Sequence, residues 1–296
     1  MHTATPLVAG VELGGTKSIA VLARGPEVLD EVRLPTLGPG ETLRALAAAV
    51  ERWPDVAAIG VGAFGPIAVD ARASDFGTMQ ATPKSGWAGA DVLAPFRARG
   101  LPLALDTDVG AAALAEGRWG GARGCSTHAY VTVGTGIGVG LVANGATVHG
   151  FLHPEFGHLR ARRVPGDTFA GICAWHGDCV EGLASGPAIA ARAGRPGAEL
   201  AAEDPVWLLV ADDLAEMLCA LLLATAPERI VFGGGVGLGQ AAHLMPRIRA
   251  ATALRLNGYL PVERAGGLET IIVSAILGDR AGPLGAVALA LATLGL

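Results

Sequence analysis

The chain, 296 residues long, is poor in cysteine and holds only four. Two of these, Cys125 and Cys219, lie far apart in apolar surroundings and read as reduced core thiols, not as a disulfide framework. Charge is also scarce. Asp, Glu, Lys and Arg make up 17% of the residues, and the net charge is −5. Nucleic-acid binders carry a basic face, so this balance argues against that class. No uninterrupted apolar run of membrane length is present. The most apolar stretch, VWLLVADDLAEMLCALLLA, carries Asp212, Asp213 and Glu216, which suits a buried helix and not a bilayer span. The opening MHTATPLVAG lacks the basic and then apolar layout of a signal peptide. These absences lead us to expect a soluble, cytoplasmic protein without nucleic-acid or membrane partners.

Glycine, by contrast, is abundant at 44 residues, which points to many tight turns or close backbone approaches. LVAGVELGGTKSIAVLARG reads as two strands around a Gly-Gly turn, and HAYVTVGTGIGVGLVANG as a second such hairpin. ETLRALAAAVERW and QAAHLMPRIRAATALRL have helical periodicity, AAIGVGAFGPI and TIIVSAI read as strands, and PLGAVALALATL closes the chain as a helix. APERIVFGGGVG is a strand entering a glycine turn. Aligning Val11–Gly25 with Val131–Gly145 matches Val11 to Val131, Gly14 to Gly134, Ala23 to Ala143 and Gly25 to Gly145. Helix and strand alternate after both hairpins. The expected fold is therefore α/β, with two similar domains, parallel strands joined by helical crossovers, and a cleft as the favoured ligand site. No low-complexity linker separates them. The expected division is 1–115, with the last helix at about 282–296 packing back on it, and 116–281, which includes a loop at 153–181.

Glycine turns let backbone N–H groups converge on phosphate oxygens. Gly14, Gly15, Thr16 and Lys17 form one candidate cradle, Thr135 and Gly136 a second, and Gly234 and Gly235 a third. None fits the P-loop, and the first two turns lead into strands where a dinucleotide fingerprint would lead into a helix. LALDTDVG places Asp106 and Asp108 at the C-terminal end of a buried strand, where ligands collect in α/β sheets. Asp108 also has the residue type of a helix N-cap. Cys173-x2-His176-x2-Cys179 supplies three zinc ligands, and FLHPEFGHLR offers His153 or His158 as a fourth. The competing readings are a chance cluster or a Cys173–Cys179 disulfide, and the expected reducing compartment opposes the latter. Four protein ligands leave no open position, so such a zinc is structural. Glu155 and Glu181 flank the ligands and would be drawn together by the metal.

VELGGTK, DTDVGAAALAE, VTVGTGIGVG, HPEFGH, CAWHGDCVEGLASGP and IVFGGGVG, in this order, resemble the ROK family of sugar kinases, and most of all its fructokinase branch. The resemblance implies an actin-like two-domain fold around a central cleft, and ATP-dependent transfer of a phosphoryl group to a hexose. It implies Asp108 as catalytic base, Glu12 as an aid to Mg²⁺, and His158 as the fourth zinc ligand. Sugar contacts are implied for Thr107, Glu155, His158 and Glu181, and nucleotide contacts for the glycine turns and Pro187. Relatives commonly carry Asn-Asp where this chain has Thr107-Asp108, and a second Asn where it has Gly110. TPKSGW, Thr82 to Trp87, resembles a segment placed over the sugar pocket. Relatives are often homodimers. The leading expectation is a fructokinase that uses ATP, Mg²⁺ and structural Zn²⁺. The alternative is a glucokinase, mannokinase or broad hexokinase, with a non-catalytic sugar-binding or regulatory protein behind it. Some relatives are repressors with a DNA-binding domain ahead of this fold, but here the first hairpin already spans Val11.

Overall fold

The computed structural model describes residues 5–296, which group into two compact units. The first unit runs to Trp119 and takes in Ala146–Pro154 and Arg280–Leu296. The second comprises Gly120–Gly145 and Glu155–Asp279. Set beside the expected division, the extra piece is Ala146–Pro154, which places His153 in the first unit and leaves Glu155 and His158 in the second. Nothing in the composition of that segment sets it apart.

In the first unit β1 (Leu7–Leu13), β2 (Lys17–Arg24) and β3 (Glu27–Pro35) form an antiparallel meander. β4 (Ile59–Ala63) and β5 (Leu103–Thr107) then add in parallel, giving the order β3-β2-β1-β4-β5. One face is covered by α1 (Pro39–Glu51), whose Leu43 and Leu46 join Trp53, Phe64, Trp87 and Phe96 in a core. The other face takes α10 (Ala281–Thr293), which is apolar all round and buried from Ala281 to Leu291 except at Gly282. Its Val287, Ala290 and Leu291 lie on Val8, Ile19 and Val21. α3 (Asp108–Trp119) presents Ala111, Ala112 and Ala113 to the same layer. Only small residues allow such proximity: a Cβ on Gly60 of β4 would run into the Ala286 carbonyl oxygen of α10.

The second sheet repeats the plan. β6 (His128–Val133) and β7 (Ile137–Ala143) are antiparallel, while β9 (Arg229–Gly233) and β10 (Ile272–Ser274) add in parallel beyond β6. With the two-residue edge strand β8 (Ala146–Thr147), the order β8-β7-β6-β9-β10 matches that of the first sheet. The hairpin match seen in the sequence thus belongs to a repeated topology. TIIVSAI is only partly strand, since α9 (Leu268–Ile271) takes its start. FGGGVG is not an open turn either: β9 passes directly into α7 (Gly234–Gly239).

The apolar stretch singled out above is α6 (Val206–Thr225), packed on α8 (Ala241–Leu256). Its acids are neutralised by arginines: Asp212 and Glu216 by Arg255, and Asp213 by Arg192 at 2.9 Å. No helix among the described residues is long and apolar enough to cross a membrane. Cys219 is buried, and burial pushes its thiol up to about 11. Cys125 departs from the expected apolar setting. It is half-buried beside Arg229 and Glu228, the latter held low mainly by the N–H of Thr127.

Replacing Gly60 by Ala forces the last helix off the sheet and is expected to cost about 2 kcal/mol or more. Gly40→Ala, at a helical position with open space around it, should leave Tm level or slightly raised. Thermal unfolding of the two variants checks both outcomes.

Candidate active site

The junction from β5 to α3 is built around a buried carboxylate. Asp106 is 1% exposed. Its Oδ1 accepts from the Thr107 N–H at 2.6 Å, from the Thr107 hydroxyl at 3.3 Å, and from His149 Nε2 at 3.0 Å. The Thr107 hydroxyl in turn accepts from the Gly110 N–H at 2.9 Å. The helix cap foreseen for Asp108 is thus supplied by Thr107. The Thr107 hydroxyl is engaged in both hydrogen-bonding directions, and the residue is 4% exposed. Gly110 has a steric reason. A Cβ there would collide with the Asp106 carboxylate and approach Thr107 Oγ1 to 2.9 Å. Asp108 opens α3, half-buried, its Oδ1 accepting from the Val109 N–H at 2.8 Å. Loss of water raises its pKa to about 6; the Val109 bond opposes the rise and the nearby Asp106 charge adds to it. A carboxylate so tuned takes up a proton far more readily near neutral pH than a solvated one.

In the same unit, Gly15, Thr16 and Lys17 are exposed at the tip of the β1–β2 hairpin. The tip is braced by Thr36, whose hydroxyl donates to the Gly14 carbonyl at 2.7 Å and whose N–H donates to Thr16 O at 2.9 Å. Lys84 Nζ donates to Gly15 O at 2.6 Å, so the TPKSGW segment lies against this turn. Trp87 anchors that segment. It is fully buried, edge-on to Phe64, and donates to Leu37 O at 2.9 Å. Glu12 lies on β1 with its carboxylate against Gly282, at the start of α10. His153, the rejected metal candidate, packs on Gly65, and its Nε2 accepts from the Ile67 N–H at 3.2 Å.

In the second unit, His158, Cys173, His176 and Cys179 bring one ligand atom each within 4.8 Å of one another. His158 Nδ1 lies 3.5 Å from Cys179 Sγ and 3.7 Å from Cys173 Sγ, and His176 Nδ1 lies 3.8 Å from Cys173 Sγ. Tetrahedral zinc with ordinary bond lengths gives ligand separations of about 3.3–3.8 Å, so the cluster fits that ion. The loop is shaped to hold it: the Cys173 N–H donates to Gly177 O at 3.1 Å, and the Gly177 N–H donates back at 2.9 Å. All four cysteines of the chain are free thiols, as the metal reading requires.

The ligand-bearing segments meet at Ile137, in the β6–β7 glycine turn. A single 3-10 turn, Phe156–His158, brings Gly157 so close to the Ile137 carbonyl that no Cβ would fit. From the other side, Glu181 in α4 (Val180–Ala184) accepts the Ile137 N–H at 3.0 Å through Oε2. Glu155 is exposed three residues before His158, and its carbonyl accepts the His158 N–H at 3.0 Å. A cavity of about 370 Å³ opens beside the same turn. Thr135, Pro187 and Gly235 line it, together with Gly197, Trp207 and Gln240. Gly136 and Gly234 stand behind this surface, turned to Glu181 and to Val133. Pro187 opens α5 (Gly186–Ala193), which is capped by Ser185.

Sequence reasoning missed His149, Trp207 and Gln240. The last two lie in or near the long helices α6 and α8, where nothing distinguishes them from scaffold. His149 had a weak signal, being a histidine four residues before His153.

Two outcomes follow from this geometry. Purified protein should contain one zinc per chain by elemental analysis, and Cys179→Ser should lose the metal and lower Tm. Asp108 holds its proton more tightly folded than unfolded, so its stabilising contribution is full below its ordinary pKa of 3.8 and is lost as pH rises through about 6. Asp108→Asn should therefore raise stability at pH 8, by up to roughly 3 kcal/mol, and leave it nearly unchanged at pH 4. Chemical denaturation at the two pH values checks this.

Comparison with known proteins identifies the family. The family model described as "ROK family" matches residues 8–293. A fructokinase of Pediococcus pentosaceus is 39% identical over 97% of this chain and 99% of its own length. The crystal structure of a ROK hexokinase from Thermus thermophilus superposes with a TM-score of 0.78 at 30% identity, covering 98% of this chain and 99% of that one. A ROK family glucokinase from Streptomyces griseus, solved with glucose and AMPPNP, gives 0.75 at 27% identity over 97% and 99%. With its paired actin-like α/β units, its Asp108 junction and its Cys/His cluster, this chain belongs to the ROK family of sugar kinases.

Proposed function

We propose that this sugar kinase is an ATP-dependent fructokinase, converting D-fructose and ATP to fructose 6-phosphate and ADP. The observation that carries the reading is the place of Asp108, a half-buried carboxylate at the head of α3, in a chain 39% identical to a named fructokinase. Asp108 accepts the proton of the sugar's primary hydroxyl as that oxygen attacks the terminal phosphorus. The new P–O bond forms while the bond to the bridging oxygen breaks, and ADP leaves with the electron pair. His158 turns Nδ1 to the thiols, which leaves Nε2 on the other edge of the ring for a sugar hydroxyl. Glu181 commits Oε2 to Ile137 and keeps Oε1 for the sugar, with exposed Glu155 as the third contact.

The cavity beside Thr135 and Pro187 suits the nucleoside, and the turns at Gly14–Lys17, Thr135–Gly136 and Gly234–Gly235 suit the phosphates. Mg²⁺ bound with ATP would supply charge neutralisation at the phosphates, and Glu12, two residues before Gly14, would help to hold it directly or through water. His158, Cys173, His176 and Cys179 would hold Zn²⁺ with four protein ligands, and such an ion would serve structure and take no part in the transfer. The free thiols suit a reducing, cytoplasmic setting, and the homodimer implied by the family resemblance is part of the same proposal.

A coupled assay with fructose, glucose, mannose and N-acetylated hexosamines tests the reading. Fructose should give the highest kcat/KM, by about tenfold or more. A preference for glucose would make the enzyme a glucokinase of the same family. Asp108→Asn should retain sugar binding and lose at least about 100-fold in kcat.

A further inference from the structure

We propose that His149 is a positioning residue for the proton acceptor: through Asp106 it holds the β5–α3 junction on which Asp108 stands, and its positive charge offsets that of Asp106 beside it. The inference rests on the reading of Asp108 as the base. Three donors meet Asp106 Oδ1, and two belong to its own neighbour, Thr107. The third, His149 Nε2 at 3.0 Å, arrives from 43 residues away and can carry charge. From Asp106 the connection runs on through the Thr107 hydroxyl to the Gly110 N–H at 2.9 Å, in the first turn of α3. A histidine distant in sequence therefore fixes the turn that presents Asp108. The arrangement needs Gly110, since a side chain there would displace the Asp106 carboxylate.

The surroundings leave His149 alone in this task. α10 and β4 have no titratable side chain, and Glu12 of β1 is turned to Gly282. Glu116 is buried two turns along α3. His153 stands on the same segment as His149, but burial lowers its pKa and its Nε2 accepts a backbone N–H, which fixes it neutral. The bond to Asp106 raises the pKa of His149. Asp106 works in the opposite sense on Asp108, disfavouring its ionisation. A protonated His149 thus eases the ionisation of Asp108 without touching substrate.

The test compares His149→Gln, His149→Ala, Asp106→Asn and Asp108→Asn by pH profiles of kcat, with Tm recorded for each. Gln keeps a neutral donor to Asp106 and removes the charge, so the acid limb should move to higher pH by about half a unit or more. Asn at 106 removes the opposing charge, so its limb should move to lower pH. His149→Ala should lose more of the high-pH plateau than His149→Gln, with the KM for ATP held in both. A second readout leaves both His149 and Asp106 in place. In Asp108→Asn, which removes a buried charge, the ring signals of His149 by NMR should titrate at lower pH than in the wild type. Limbs that stay in place, or a His149 titration indifferent to Asp108, would overturn the inference. If Asp108→Asn itself retains turnover, it is the underlying assignment of the base that fails.

Discussion

The closeness of α10 to its sheet and to α3 is the constraint on which the first unit depends. Glycine at position 60, and alanines along α3 and α10, bring backbone against backbone. Layers so near leave little room for water, and β5 ends within them. The chain therefore turns at Asp106 and Asp108 in a medium that strips charge of its hydration. One carboxylate, that of Asp106, is satisfied by three donors. The other has fewer, and holds on to its proton. Two acids two residues apart acquire different chemistry from packing and hydrogen bonds alone.

The second unit solves a different problem. Its glycine turn at Ile137 would be a loose hairpin tip by itself. Segments that also carry the Cys/His cluster reach Ile137 from two sides: Gly157 of the Phe156–His158 turn lies against its carbonyl, and Glu181 accepts its N–H. The order of that turn is tied to the Cys/His cluster through two residues on either flank. A structural ion can support function in this way while remaining outside the chemistry.

Much of this was legible in the sequence where the signal is local. Cys173, His176 and Cys179 share one short loop, and the two glycine hairpins announce themselves by composition. The helices α6 and α10 follow from strongly apolar stretches, the first interrupted by three acids. Strand β3 mixes charged and apolar residues, has no buried position, and gave little sign of itself. Thr107 could be recognised as polar at the right place, but its commitment to Asp106 and Gly110 is a matter of three-dimensional approach. His149 shows the limit most clearly. Its partner is 43 residues away, and no spacing rule connects a histidine in a connecting segment with an aspartate at a strand end. Gly110 looked like a missing side chain and proved to be space kept for a carboxylate.

The last helix also bears on how the protein comes into being. During synthesis the first five strands emerge early, yet the layer that covers Val8, Ile19 and Val21 is residues 281–293, made after every element of the second unit. Until then one face of the nascent sheet remains greasy and bare, a surface for chaperones or for unwanted association. Maturation of the amino-terminal body must therefore wait until residues 281–293 have been made.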